Sequence, residues 1–194
     1  VADMDFRAPE VIRDRLHDIL DMGVLGYTDL SDKFFTSIRR WYKKQYDMDI
    51  PVEWIVFCPR INVASSICVE ACTEKGDGVM IHTPAYGPLQ NAILKNDRTM
   101  LGSPLKLNGE HYEMDFAQME AAVDERTRMM IMCNPHNPTG RAWSMEEMRQ
   151  TAEFCKKHDL ILFTDEIHGD LTKAGVKHHT MLSVSEEMNE RLVV

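Results

Sequence analysis

Asp165-Glu166-Ile167-His168 sets two carboxylates and an imidazole within four residues, one residue beyond the apolar run Leu160 to Phe163. The same spelling occurs in the Asp-Glu-x-His box of nucleic-acid helicases, whose acids hold Mg²⁺ beside a Gly-Lys-Ser/Thr phosphate loop. No such loop occurs in this chain, and a formal charge of -9 repels phosphate backbones, so a helicase and a nucleic-acid partner are not expected. His168 with His178 and His179 could serve a metal hydrolase, but adjacent histidines without a helical His-x-x-x-His pair fit a solvated loop better, and no metal site is expected. Two more polar segments follow apolar runs: Thr83-Pro84-Ala85-Tyr86 and Asn134-Pro135-His136-Asn137-Pro138-Thr139-Gly140. Each also has an ordinary structural use: Asp165 can cap a turn, Asn-Pro marks turns in any protein, and Tyr86 can be a half-buried core residue. Arg60-Ile61-Asn62 opens a helical pattern whose free amides suit a phosphate, or is a plain helix start.

The surrounding periodicity says what must position these residues. Ile12, Leu16, Ile19 and Leu20 recur at helical spacing between Pro9 and Gly23, which suit the two ends of a helix. Ser31 can cap a second helix reaching about Tyr46, with Phe34, Phe35, Ile38, Trp41 and Tyr42 facing inward. Beyond Pro51 short apolar runs alternate with helices: strand 54–58, helix 63–74, strand 79–82, helix 89–95, strand 99–101, a polar connection through Gly109, helix 116–123 and strand 129–133. A Ser144/Glu147 capping box then opens a helix to His158, followed by strand 160–163. Strands apolar on both faces and separated by helices predict an α/β fold with a mostly parallel sheet covered on both sides. In such folds ligands sit at the carboxyl ends of the strands.

A composition of 44% hydrophobic and 27% charged residues is ordinary for a globular chain, and no apolar run approaches the ~20 residues of a bilayer crossing. Cys58, Cys68, Cys72, Cys133 and Cys155 lie in apolar segments without metal-ligand spacing and read as reduced, buried thiols of a cytoplasmic protein. Val1 in place of an initiator Met, and a strand-like Leu192-Val193-Val194, are the ends expected of an internal piece of a longer chain.

The three post-strand segments, in this order, resemble fold-type I pyridoxal-phosphate (PLP) enzymes of the aminotransferase class I/II superfamily. Val1-Ala2-Asp3-Met4-Asp5-Phe6 and Gly26-Tyr27 resemble its cystathionine beta-lyase branch. The resemblance implies an N-terminal arm and interdomain segment over 1–30 and an incomplete PLP-binding large domain over 31–194. It makes Asp165 the partner of the pyridinium nitrogen, Asn137 and His168 donors to the ring oxygen, and Tyr86 the aromatic stacked on the ring. The amides of Ile61 and Asn62 would hold the phosphate, although Arg60 stands where relatives usually have Gly. Tyr27 would reach the phosphate in a neighbouring subunit, implying a homodimer, and Asp3 and Asp5 would lie near the substrate carboxylate. No lysine here has the family's Ser-x-Ser-Lys setting, so the Schiff-base lysine is expected beyond Val194, as is the arginine for the substrate carboxylate.

The activity implied is β-elimination at a carbon–sulfur bond of cystathionine or cysteine, giving pyruvate, ammonia and a thiol. An amino-acid aminotransferase shares the same residues. In either enzyme reading the activity belongs to the parent protein and this piece is expected to be inactive alone; a third reading makes it a non-catalytic scaffold fragment.

Overall fold

The computed structural model describes residues 4–194. Two helices come first. α1 (Glu10–Met22) runs from Pro9 to Gly23, whose φ of 72° is a left-handed turn that favours glycine, and α2 (Asp32–Tyr46) follows Ser31. Both match the expected spans, but no residue of either is buried. In α2, Phe34, Phe35, Ile38 and Tyr42 reach only half-burial and Trp41 stays exposed, because one side alone meets the rest of the chain.

Residues 54–58, expected as a strand, form none. A 3-10 turn covers Val52–Trp54, and Val56 and Phe57 then run exposed with no neighbouring strand to supply ladder hydrogen bonds. α3 (Ile61–Cys72) leads to β1 (Gly78–Thr83), α4 (Gly87–Leu94) and β2 (Thr99–Pro104). The polar connection through Gly109 is an antiparallel hairpin of β3 (Lys106–Asn108) and β4 (His111–Glu113). α5 (Phe116–Ala122), β5 (Thr127–Cys133), α6 (Met145–Lys157), β6 (Ile161–Asp165) and β7 (Leu192–Val193) complete the order. The expected capping box forms: Glu147 N–H donates to Ser144 Oγ (3.2 Å) and Ser144 N–H to Glu147 Oε2 (2.7 Å).

The main sheet is parallel throughout, in the order β2-β1-β5-β6-β7. Alternate residues feed two cores. Val79, Ile81, Met129, Ile131 and Phe163 pack under α3 and α4, while Met80, Met130, Met132 and Leu162 pack under α5 and α6. Methionine, unbranched and adaptable, fills much of the second core. From β1 the chain moves outward to β2 and then returns to the other side of β1 as β5, so the strand order reverses between β1 and β5. A ligand crevice belongs at that reversal, outside the carboxyl ends.

The cysteines are free, but only Cys133 and Cys155 are buried. Cys58, Cys68 and Cys72 are half-buried, the latter two on α3, which turns Ser65 and Val69 inward and leaves Val63 and Ile67 outside. Among the described residues no helix is long and apolar enough to cross a membrane.

Candidate active site

Asp165 ends β6 and is only 3% exposed. One carboxylate oxygen accepts from the Ile167 amide (3.1 Å), and no ion pair reaches the side chain among the described residues. Burial pushes its pKa above the usual carboxylate range, against the opposing influence of the Ile167 amide and then His168. A carboxylate stripped of water in this way favours a cationic hydrogen-bond donor as its partner.

Glu166 serves a different purpose. Its Oε2 meets His178 Nε2 at 3.1 Å and its Oε1 accepts from the Met181 amide at 2.8 Å, fastening residues 178–181 to the end of β6. His178 is buried, not part of a solvated loop as expected, because this carboxylate gives its ring a partner away from water. Gly169 lets the segment close: a Cβ there would lie 2.7 Å from His178 Cδ2. Among the described residues no group of His, Cys, Asp and Glu could hold a metal.

The loop after β5 is braced from beneath by residues that sequence reasoning passed over. Asn134 is fully buried; its Oδ1 accepts from the Trp143 amide (3.1 Å) and its Nδ2 donates to the His179 carbonyl (3.3 Å). Trp143 Nε1 donates to the Cys133 carbonyl at 2.8 Å. His136 N–H donates to the Arg141 carbonyl (2.7 Å), and the Gly140 amide to the His136 carbonyl (2.7 Å), closing the turn that presents Asn137. The only signal available in advance was the density of polar residues in a proline-rich heptapeptide. Asn137 is half-buried, and its side-chain amide makes no hydrogen bond among the described residues.

Tyr86 stands at the start of α4, after β1, and is 36% exposed. His168 is half-buried just past Asp165. Tyr86, Asn137, Asp165 and His168 therefore all lie at or just beyond the carboxyl ends of the adjacent strands β1, β5 and β6. Ile61 and Asn62 begin α3, where Ile61 packs on the same core as Ala85, Cys133 and Phe163. The Val63 and Ala64 amides already bond the Arg60 carbonyl (3.1 and 3.0 Å), which leaves those of Ile61 and Asn62 outside the helical ladder. Tyr27 is not brought to this cluster: it is fully exposed beyond α1. Asp5 is exposed as well, and Asp3 lies outside the described residues.

The family model for aminotransferase class I and II matches residues 3–194. The chain belongs to that family. Among curated relatives, cystathionine beta-lyase PatB of Bacillus subtilis is 39% identical over 188 residues, covering 96% of this chain and 49% of the relative. Protein MalY of Escherichia coli is 32% identical, covering 92% and 46%. Cystalysin from Treponema denticola, whose crystal structure contains a pyridoxal 5'-phosphate cofactor, superposes with a TM-score of 0.94 at 33% identity, over 99% of this chain and 49% of that one. This chain thus spans about half the length of the family members it matches, and its α/β fold is that of the corresponding part of those fold-type I structures.

Proposed function

We propose that this chain carries the ring-holding part of a PLP site, and that the full-length protein is a carbon–sulfur β-lyase. The observation that carries the reading is Asp165: buried, raised in pKa and without a cation among the described residues, it fits a protonated ring nitrogen. When bound, PLP supplies an electron sink for negative charge developing at the substrate α-carbon. Asp165 keeps the proton on the ring nitrogen. Asn137 and His168 donate to the ring oxygen, and Tyr86 covers one ring face and excludes water. The first two amides of α3 receive the phosphate at the positive end of the helix. The first 30 residues act as an arm, with Tyr27 reaching a partner subunit's site in a homodimer; its full exposure supports this. The lysine that takes the substrate proton and the arginine that holds its carboxylate come from outside this chain, which is therefore inactive alone.

The net reaction on cystathionine consumes one water, breaks the bond between the β-carbon and sulfur, and yields homocysteine, pyruvate and ammonia. Relatives named as cystathionine beta-lyases favour elimination, as does the PLP-bound carbon–sulfur lyase of Staphylococcus hominis, with a TM-score of 0.90 at 35% identity. The aminotransferase reading keeps support from an aspartate aminotransferase of Bacillus subtilis at 25% identity. Full-length protein given L-cystathionine and PLP is expected to release pyruvate and a free thiol. Glutamate formation from 2-oxoglutarate without any pyruvate would overturn the lyase assignment.

A further inference from the structure

The hydrogen-bonded pairing of β1 with β5 stops at Ile81 and Ile131, while β1 stays paired with β2 to Thr83 and β5 with β6 to Cys133. β1 and β5 therefore part for their last residues, at the reversal of strand order, where open α/β sheets place a ligand. Above that gap one side chain joins the two loops: His136 Nε2 lies 2.8 Å from the Pro84 carbonyl oxygen. A carbonyl only accepts, so Nε2 carries the proton and donates. We propose that His136 is a positioning residue of the cofactor pocket, holding the Tyr86 loop at a set distance from the Asn137 loop through this bond. The proposal rests on the site reading above.

The ring is well placed for such work. It is 2% exposed, packed at 5.6 Å from the Trp143 ring and 6.4 Å from the His82 ring. Its own backbone is pinned on both sides by Arg141 and Gly140, so the bond to Pro84 ties one loop to a braced base and not to a second loose strand. Asn137 is the next residue along from His136 and Tyr86 is two beyond Pro84, so any slack in this bond passes directly to the groups proposed to hold the ring oxygen and cover the ring face. Burial also holds the His136 pKa below the usual histidine range, which keeps the ring neutral at neutral pH.

The test compares His136→Leu, which cannot donate, with His136→Gln, which can, in the full-length protein. His136→Leu is expected to weaken PLP binding roughly 3- to 10-fold, the loss of one neutral hydrogen bond. It is also expected to move the pH midpoint of the cofactor's visible absorption band, with His136→Gln restoring both. Without PLP, hydrogen–deuterium exchange should quicken over residues 84–90 and 136–141 in the Leu variant and return toward normal in the Gln variant. Equal behaviour of the two variants, or exchange in the Leu variant matching the unaltered protein, overturns the proposal. If the unaltered protein fails to bind PLP, the site reading falls, while the exchange comparison still decides whether His136 joins the loops.

Discussion

Asp165 is held in a state that costs the cofactor-free protein stability. Its pKa is raised by burial, so the folded state binds a proton more tightly than the unfolded chain, and stability falls as pH rises through the window above the usual aspartate value. Asp165→Asn removes that charge while keeping the shape. It is expected to raise the urea midpoint of the cofactor-free protein at pH 7, and to lower turnover of the full-length protein by about 100-fold or more. A lower midpoint with unchanged turnover would show that the carboxylate is structural. His82 works in the opposite direction on the pH axis. It is 1% exposed, neither ring nitrogen makes a well-formed hydrogen bond among the described residues, and burial, aided by His136 and opposed by the Ser103 backbone, lowers its pKa from 6.5 to about 3. Because the unfolded chain gains its proton first, stability should be complete above pH 6.5 and fall below it, by up to about 1.4 kcal/mol per pH unit. Unfolding at pH 7 and pH 5 measures this, and His82→Phe should shrink the difference.

At the scale of elements, α3 matters most, because its first two amides are the ones proposed to hold the phosphate and its last turn is fastened elsewhere. Arg98, buried before β2, donates through Nη2 to the carbonyls of Glu70 (3.3 Å) and Thr73 (2.5 Å) and through Nε to Thr73 Oγ1 (2.8 Å). These bonds satisfy carbonyl groups that a helix end leaves open. Arg98→Ala is expected to cost about 1–3 kcal/mol in urea unfolding, and Arg98→Lys to recover only part, since an ammonium cannot reproduce the planar fork. Unchanged stability in the Ala variant would mean that water replaces the guanidinium. Helices α1 to α6 and the strands ending at Thr83, Cys133 and Asp165 were legible from periodicity and caps. The run 54–58 was misread because β-branched and aromatic residues make a strand only where a neighbour pairs with them. The hairpin about Gly109 was missed for a related reason: β3 is exposed throughout and leaves no apolar pattern.

Over the whole molecule, the apolar stripe of α1 finds no core: Ile12, Leu16 and Leu20 are all exposed by half or more. A helix of 13 residues without tertiary support is marginal in water. In this 194-residue chain its amides are expected to exchange hydrogen well before those of β5, and to be protected in the full-length protein, where the proposed dimer would cover them. Equal protection of α1 and β5 in this chain alone would contradict that. The amino-acid sequence by itself determined the α/β class, the placing of polar segments after buried strands, and the resemblance built on Tyr86, Asn137, Asp165 and His168. The tertiary structure alone decided that β1 and β5 part before their ends, that His136 spans the gap, that His178 is buried against Glu166, and that Tyr27 stands apart. Residue type and periodicity are local properties of a chain. Which groups lose their water, and which face each other, depends on segments far apart in sequence coming together.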